Sequence, residues 1–210
     1  MTAAAFVLLS LTAVAAVCDW LAVSSARRLA EYFLKPLVMV LLIAVVLALD
    51  PTSDFARVML LIGLVLSMVG DICLMLPSDL FVPGLAAFLL AHVFYIIGLL
   101  SLGVSPVGIF IGVLVMVIAA FLVGRRIVQG AASSDRALTG PVSAYIFVIS
   151  LMVASAMGTG RFFAIVGAVL FGASDSVLGW TRFVSDFPRS RLIVMVTYHL
   201  GQMGLVLALV

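Results

Sequence analysis

Long apolar runs alternate with short polar breaks along the whole chain. Eight runs approach the roughly 20 residues a helix needs to cross the hydrocarbon core of a bilayer: 3–23, 32–49, 57–76, 84–101, 106–123, 141–157, 161–180 and 191–210. Within them apolar residues cover all sides, which suits lipid rather than a half-wet surface. The breaks carry turn chemistry: Asp50-Pro51-Thr52-Ser53, Pro77-Ser78-Asp79, Gly103-Val104-Ser105-Pro106 and Gly158-Thr159-Gly160. The longest, 124–140, is polar and contains Ser133-Ser134-Asp135. No break is long enough for a soluble domain. The pattern predicts an all-α integral membrane protein with eight transmembrane helices in a single domain over 1–210. Met1-Thr2-Ala3 leads into the first run without a basic segment, so that run reads as a retained helix rather than a cleaved signal.

Composition agrees. Residues are 66% hydrophobic and 10% charged, against about 25% charged in soluble domains, so the chain cannot cover a water-facing surface. A net charge of +2, spread along the sequence, gives no footprint for nucleic acid. Cys18 and Cys73 lie in apolar runs and read as small packing residues. The basic residues predict orientation. Arg27, Arg28, Lys35, Arg125, Arg126, Arg136, Arg182, Arg189 and Arg191 flank the breaks after the first, third, fifth and seventh runs; only Arg57 and Arg161 flank the others. By the positive-inside rule the richer side faces the cytoplasm and both termini lie outside. A multi-pass protein of the cell (inner) membrane is expected.

The two halves, about 1–105 and 106–210, echo each other. Gly63-Leu64-Val65-Leu66 and Gly70-Asp71-Ile72-Cys73-Leu74 return as Gly167-Ala168-Val169-Leu170 and Ser174-Asp175-Ser176-Val177-Leu178, shifted by 104 residues. Pro36 matches Pro141 at a shift of 105, each just inside its run. Four helices per half keep both halves in one orientation, which predicts two parallel four-helix pseudo-repeats about an axis along the membrane normal.

Ionisable side chains inside a membrane cost on the order of 2.5–3.5 kcal/mol and are functional candidates by default. Asp71 and Asp175 each stand five residues before the end of an outside-to-inside run, about 7–8 Å deep at the helical rise. Lys35, His92, Tyr145, Tyr198, His199, Gln202 and Asp19 fall towards the same cytoplasmic side, whereas the outer half is nearly bare. One polar cavity reaching to mid-membrane accounts for them together. Gly63, Ser67 and Asp71 share a helix face, as do Tyr198 with Gln202 and His92 with Tyr95. Structural roles compete with this reading. The aspartates could bond helices together, Lys35 could snorkel to the headgroups, and His92 could be a packing histidine.

Two carboxyls sharing a low-dielectric site do not both ionise readily. One is then a proton donor and the other can activate water. This suits bonds that break through an oxocarbenium ion, such as glycosides and vinyl ethers. Catalytic zinc commonly takes three histidines, but only His92 and His199 exist; a mixed Asp/His site is allowed but has no supporting ligand spacing, and no metal and no cofactor is expected. A proton-coupled transporter would also use membrane carboxylates but wants polar groups on both sides. A non-catalytic lipid-binding protein would tolerate Asp-to-Asn changes.

Several stretches resemble the YhhN family, which includes the transmembrane 86 proteins and bacterial lysoplasmalogenases. They are Lys35-Pro36-Leu37, Gly70-Asp71-Ile72-Cys73-Leu74-Met75, Phe88-Leu89-Leu90-Ala91-His92-Val93-Phe94-Tyr95, Tyr145, and Phe171-Gly172-Ala173-Ser174-Asp175-Ser176-Val177-Leu178 running on to Arg182-Phe183. Thr197-Tyr198 and Gln202 complete the set in the same order. The resemblance implies an eight-helix hydrolase that cleaves the vinyl ether of lysoplasmalogens to a fatty aldehyde and glycerophospho-ethanolamine or -choline. It implies Asp71 and Asp175 as catalytic carboxylates, with Lys35, His92, Tyr145, Tyr198 and Gln202 lining the site. Lys35 or Arg182, near headgroup level, would hold the phosphate of the lysophospholipid. His199 lies outside the matched pattern.

Overall fold

The computed structural model describes residues 1–78 and 80–210; Asp79, in the predicted Pro77-Ser78-Asp79 break, lies outside the described residues. The protein is 86% helical, with no strand among the described residues. The helices are α1 (Ala3–Ser24), α2 (Arg28–Ala48), α3 (Asp54–Met75), α4 (Phe81–Ser101), α5 (Pro106–Ala119), α6 (Arg125–Ser134), α7 (Thr139–Thr159), α8 (Phe162–Phe183) and α9 (Ser190–Leu207). Local chemistry sets their starts. The side chains of Thr2, Ser53 and Ser105 accept from the backbone N–H groups of Ala5, Ala56 and Gly108, satisfying donors that a helix start leaves free. Pro106 occupies the first helical position of α5, where its missing N–H is harmless. Gly160, at φ 65°, ends α7 in the left-handed conformation that suits glycine.

Two features depart from the hydropathy pattern. The predicted polar break 124–140 is largely helix. A single π turn, Ala120–Gly124, joins α5 to α6, and a 3-10 turn, Arg136–Leu138, leads into α7. Arg125, Arg126 and Gln129 lower the apparent hydrophobicity of α6, yet its other face buries Ile127 and Ala131. Likewise α2 starts at Arg28, so Pro36 stands well inside it rather than near its start. In both places a charged face hides a helix from a hydropathy scan.

Among the described residues seven helical stretches are long and apolar enough to span a membrane, with Pro106–Ser134 counted as one. The eighth apolar run becomes α9, which is not among them. It carries Arg191, Tyr198, His199 and Gln202 within 18 residues. Tyr198, His199 and Gln202 are enclosed, because α9 packs against α1, α2, α3 and α8, while Arg191 stays exposed near its start. Outward-facing residues elsewhere are large and apolar: Phe6, Phe33, Phe110, Phe121 and Phe162 are all exposed, Phe33 to 78%. Only lipid would make such a surface stable.

Helices pair as α1 with α2, α3 with α4, α5 with α7 and α8 with α9, and α4 against α7 joins the two halves. Small residues set the close approaches. A Cβ on Gly63 would lie 2.2 Å from the Tyr95 ring, and one on Gly70 would lie 2.5 Å from Phe88. Gly167, Gly201 and Gly204 bring α8 and α9 together backbone to backbone. At one end of the bundle the termini are tied in: Thr2 donates to the Ala48 carbonyl, Thr52 to that of Leu209, and Arg161 to that of Ala208. The candidate site residues gather towards the other end.

Candidate active site

Asp71 is buried on the face of α3 that also carries Gly63 and Ser67. Its two oxygens are engaged separately. Lys35 Nζ on α2 lies 3.0 Å from Oδ1, and the Tyr198 hydroxyl on α9 donates to Oδ2 at 2.6 Å. Lys35 is only 6% exposed, so it does not snorkel to the headgroups. Behind Tyr198 runs a chain of buried groups. Gln202 Nε2 donates to the Tyr198 hydroxyl at 3.3 Å, and Tyr95 on α4 donates to Gln202 Oε1 at 2.9 Å. The Tyr95 proton being committed there, Ser67 is the donor in its 3.1 Å bond to Tyr95. Every donor in the chain points towards Asp71. Tyr198 and Gln202 reach it together because positions four apart share a helix face.

Asp175 on α8 has a different set of neighbours. The Tyr145 hydroxyl on α7 donates to its Oδ2, and His92 Nε2 on α4 stands 3.9 Å from the same oxygen. His92 Nδ1 is 2.6 Å from the Phe88 carbonyl, which can only accept. The proton therefore sits on Nδ1 and the lone pair of Nε2 faces Asp175. That nitrogen is buried and has no hydrogen-bond partner. Asp175 itself retains 11% side-chain exposure, because it opens onto a cleft.

Aromatic rings join the two carboxyl groups. Phe171 packs edge-on against His92 at 4.8 Å and against Tyr198 at 5.3 Å, and Phe88 contacts both Phe171 and Tyr198.

Two cavities meet at this point. An apolar cleft between α4, α5, the π turn, α7 and α8 contains Tyr145 and Asp175 in its wall. A polar vestibule of about 320 Å³, between α2, the end of α3, α8 and α9, is lined by Arg28, Glu31, Lys35 and Arg191. Leu74 and Leu178 border both. They stand three residues beyond Asp71 and Asp175, one turn along the same helices. The arrangement is amphiphilic. Asp175 lines the apolar cleft; Asp71 lines neither cavity, being 1% exposed, but its partner Lys35 lines the vestibule. Among the described residues no three His, Cys, Asp or Glu side chains converge into a set that would hold a metal ion.

The structure thus brings Lys35, Asp71, Tyr198 and Gln202 into one group and His92, Tyr145 and Asp175 into another. The Arg182 guanidinium lies 5.0 Å from the Phe81 ring centroid, near the end of α8. Sequence reasoning leaves out Phe88 and Phe171, which only tertiary packing selects from many apolar residues. It also leaves out Glu31, although Arg28, Glu31 and Lys35 on one face of α2 are a legible signal. His199 and Asp19 are fully buried. His199 Nδ1 accepts from Trp20 at 3.1 Å, and both Asp19 oxygens lack a protein partner.

Comparison with known proteins gives the family. The human protein named lysoplasmalogenase TMEM86B is 36% identical over 146 residues, covering 70% of this chain and 61% of that protein. Its mouse counterpart is 37% identical over 146 residues, with the same shares covered. The lysoplasmalogenase of Mycobacterium tuberculosis is 37% identical over 129 residues, 58% of this chain and 49% of that protein. The chain therefore matches about three fifths of the length of the mammalian relatives, 61% for the human one. No solved structure matches. The sequence model of the YhhN family matches residues 30–209, nearly the entire chain, and the chain belongs to the YhhN family.

Proposed function

We propose that this protein is a membrane-embedded hydrolase that cleaves the vinyl ether bond of lysoplasmalogens, with Asp175 as acid and Asp71 as base. The observation that carries the reading is that Asp175 lines an apolar cleft which shares Leu74 and Leu178 with a charged vestibule lined by Lys35, the partner of Asp71. A single-chain lipid would lie with its tail in the cleft, its headgroup in the vestibule and its ether linkage at the partition. The names of the mammalian and mycobacterial relatives support that substrate class.

The chemistry follows from the neighbours of each carboxyl. Asp175, against a phenol and an imidazole at the edge of the apolar cleft, gives its proton to the second carbon of the alkenyl chain. The electron pair of the double bond forms the new C–H bond, leaving an oxocarbenium ion at the first carbon. Asp71, a carboxylate beside the Lys35 ammonium, takes a proton from water as the water oxygen bonds to that carbon. The resulting hemiacetal collapses. Its hydroxyl proton passes to Asp175, the proton on Asp71 passes to the departing glycerol oxygen, and both carboxyls return to their starting forms. Tyr198 and Tyr145 orient the two carboxyls throughout.

The same reading sets eight helices across the membrane, α9 among them, with both termini outside and the vestibule opening to the cytoplasm. The distribution of basic residues supports this orientation. The matched pairing of α1–α2 with α5–α7 and of α3–α4 with α8–α9 supports two parallel pseudo-repeats.

The test is release of fatty aldehyde from an alkenyl lysolipid by the purified protein in detergent or nanodiscs. Wild type is expected to turn over, and Asp71→Asn and Asp175→Asn are each expected to lose at least about a hundredfold. Full turnover in both variants removes the carboxyl pair from the mechanism. Proteoliposome flux of lysolipid without aldehyde release would replace the hydrolase with a transporter.

A further inference from the structure

We propose that Asp19 of α1 and His199 of α9 bind a buried water molecule between them, and that this joint holds Tyr198 on Asp71. The water site stands apart from the hydrolase reading; its effect on turnover rests on that reading. α1 precedes residues 30–209, the stretch that the family's sequence model matches.

Antiparallel packing sets the two side chains opposite each other. α1 begins at the end of the bundle where α9 finishes, as the ties from Thr2 to Ala48 and from Thr52 to Leu209 show. Asp19 stands in the buried stripe of α1 with Thr12, Ala16 and Val23, at helical spacing. Val23 clusters with Val194 and Met195 of α9. Four residues back along α1 and four on along α9, the same faces carry Asp19 and His199. Trp20 fixes that register, because its indole N–H donates to His199 Nδ1 at 3.1 Å.

An indole N–H can only donate, so Nδ1 accepts and the ring proton of His199 sits on Nε2. That N–H and both Asp19 oxygens are buried without a hydrogen-bond partner. A donor and two acceptors thus share one level of the bundle, and no direct bond joins them. Water completes the match by accepting from Nε2–H and donating to the carboxyl. Buried waters occupy such places, making about three hydrogen bonds to groups otherwise unpaired. Ala15, Ala16 and Ala22 flank Asp19 among the buried residues of α1, and their short side chains leave space beside the carboxyl. Lys35 stands at a similar depth on α2, but its ammonium is committed to Asp71 at 3.0 Å.

The joint acts on the site through α9. Tyr198 and His199 are consecutive and face different neighbours, one Asp71 and the other α1. Gly201 and Gly204 seat the next turns of α9 against α8. Without the water, Nε2–H is buried unpaired, and a small turn of α9 that relieves it takes the Tyr198 hydroxyl off its 2.6 Å bond to Asp71. Asp19 and His199 are therefore positioning residues.

Solid-state NMR of the full chain in lipid bilayers, labelled with 15N-histidine and 13C-tyrosine, tests this. The chain has two histidines and four tyrosines, so single variants assign the signals. Wild type is expected to show His199 protonated at Nε2, with a cross-peak from that proton to water. Asp19→Leu is expected to lose the cross-peak and to shift the Tyr198 Cζ signal. Asp19→Asn, whose amide still binds water, is expected to restore both. In aldehyde release, Asp19→Leu is expected to lower kcat about tenfold with KM within about twofold, and Asp19→Asn to recover most of that loss. Absence of the water cross-peak in wild type overturns the proposal without any variant. So does a cross-peak that survives Asp19→Leu, or an unmoved Tyr198 signal in that variant. A loss in Asp19→Asn as large as in Asp19→Leu makes Asp19 a counter-ion of Lys35 and overturns the joint. If wild type cleaves nothing, the hydrolase reading falls, and the histidine and tyrosine signals still decide the joint.

Discussion

Replacing Tyr198 with Phe removes one oxygen from the centre of the site and leaves most of its packing in place. The ring keeps its edge contacts with Phe88 at 6.0 Å and Phe171 at 5.3 Å. The lost hydroxyl donates to Asp71 Oδ2 at 2.6 Å and accepts from Gln202 at 3.3 Å. A hydrogen bond to a charged group contributes about 1.5–3 kcal/mol, against about 0.5–1.5 for a neutral one. Lys35 remains on Oδ1, so Asp71 stays paired but free to turn about that contact. A loss of about 2 kcal/mol in the orientation of the base corresponds to roughly thirtyfold in kcat/KM, at tenfold per 1.36 kcal/mol. Tyr95→Phe, two links further back, breaks neutral bonds to Gln202 and Ser67. About 1 kcal/mol there gives roughly fivefold. Aldehyde release coupled to NADH oxidation by an alcohol dehydrogenase reads both variants, and a thermal melt in the same detergent separates folding from rate. Tyr198→Phe within twofold of wild type, or a larger effect from Tyr95→Phe, would refute a hydrogen-bond chain that acts through Asp71.

Lys35→Met leaves Asp71 buried without its cation and is expected to destabilise the fold by about 3–5 kcal/mol. Lys35→Met with Asp71→Leu should recover much of that loss in a thermal melt while staying inactive. Gly63→Ala places a methyl 2.2 Å from the Tyr95 ring; a cost of about 1–3 kcal/mol and reduced activity are expected. Gly124→Ala, where the nearest atom would lie 3.4 Å away, should melt as wild type does. The apolar cleft continues outward between α5 and α7 past Met116, Ala120 and Ile146, residues it shares with an outer groove of about 340 Å³. Ala120→Phe should therefore shift preference towards shorter alkenyl chains, read from kcat/KM across a chain-length series.

Hydropathy makes most of the helices legible because lipid demands a continuous apolar surface, and all eight apolar runs contain a helix. Its failures share one cause. The turns led by Arg28 and by Arg125-Arg126 are rich in charge, so averaging over a window hides the first turn of α2 and a helix that buries Ile127 on its other face. The polar members of the site are legible for the opposite reason: Asp71, Asp175 and His92 are too costly in a membrane to be incidental. Their partners are harder to read. Glu31 and Arg191 lie 160 residues apart, and Phe171 looks like any lipid-facing phenylalanine until α4, α8 and α9 enclose it. Asp19 and His199, set in the sequence among the cytoplasmic-side polar residues but outside the matched pattern, are fully buried, because α1 closes over α9.

Asp71 and Asp175 hold equivalent places in the sequence, 104 residues apart, yet they meet opposite surroundings. The difference comes from neighbouring helices rather than from α3 and α8 themselves. Lys35 reaches Asp71 from α2, whereas the Gly140–Pro141 stretch, which matches Lys35–Pro36 in the sequence, supplies no cation at the corresponding place. Tyr145 and the neutral side of His92 meet Asp175 instead. Two like groups thereby acquire unlike neighbours, one beside a charged vestibule and one beside a greasy cleft. Acid–base catalysis of a vinyl ether needs that inequality, since a pair in identical surroundings would have no preferred donor. Introducing a lysine at position 140 should therefore erode activity by giving Asp175 the kind of partner Asp71 has. Gly140 lies at the start of α7, where an added Cβ meets nothing within 4 Å, so Gly140→Lys should fold. Aldehyde release equal to wild type in that variant, with an ion pair to Asp175 demonstrated structurally, would refute the argument that unlike neighbours divide the roles.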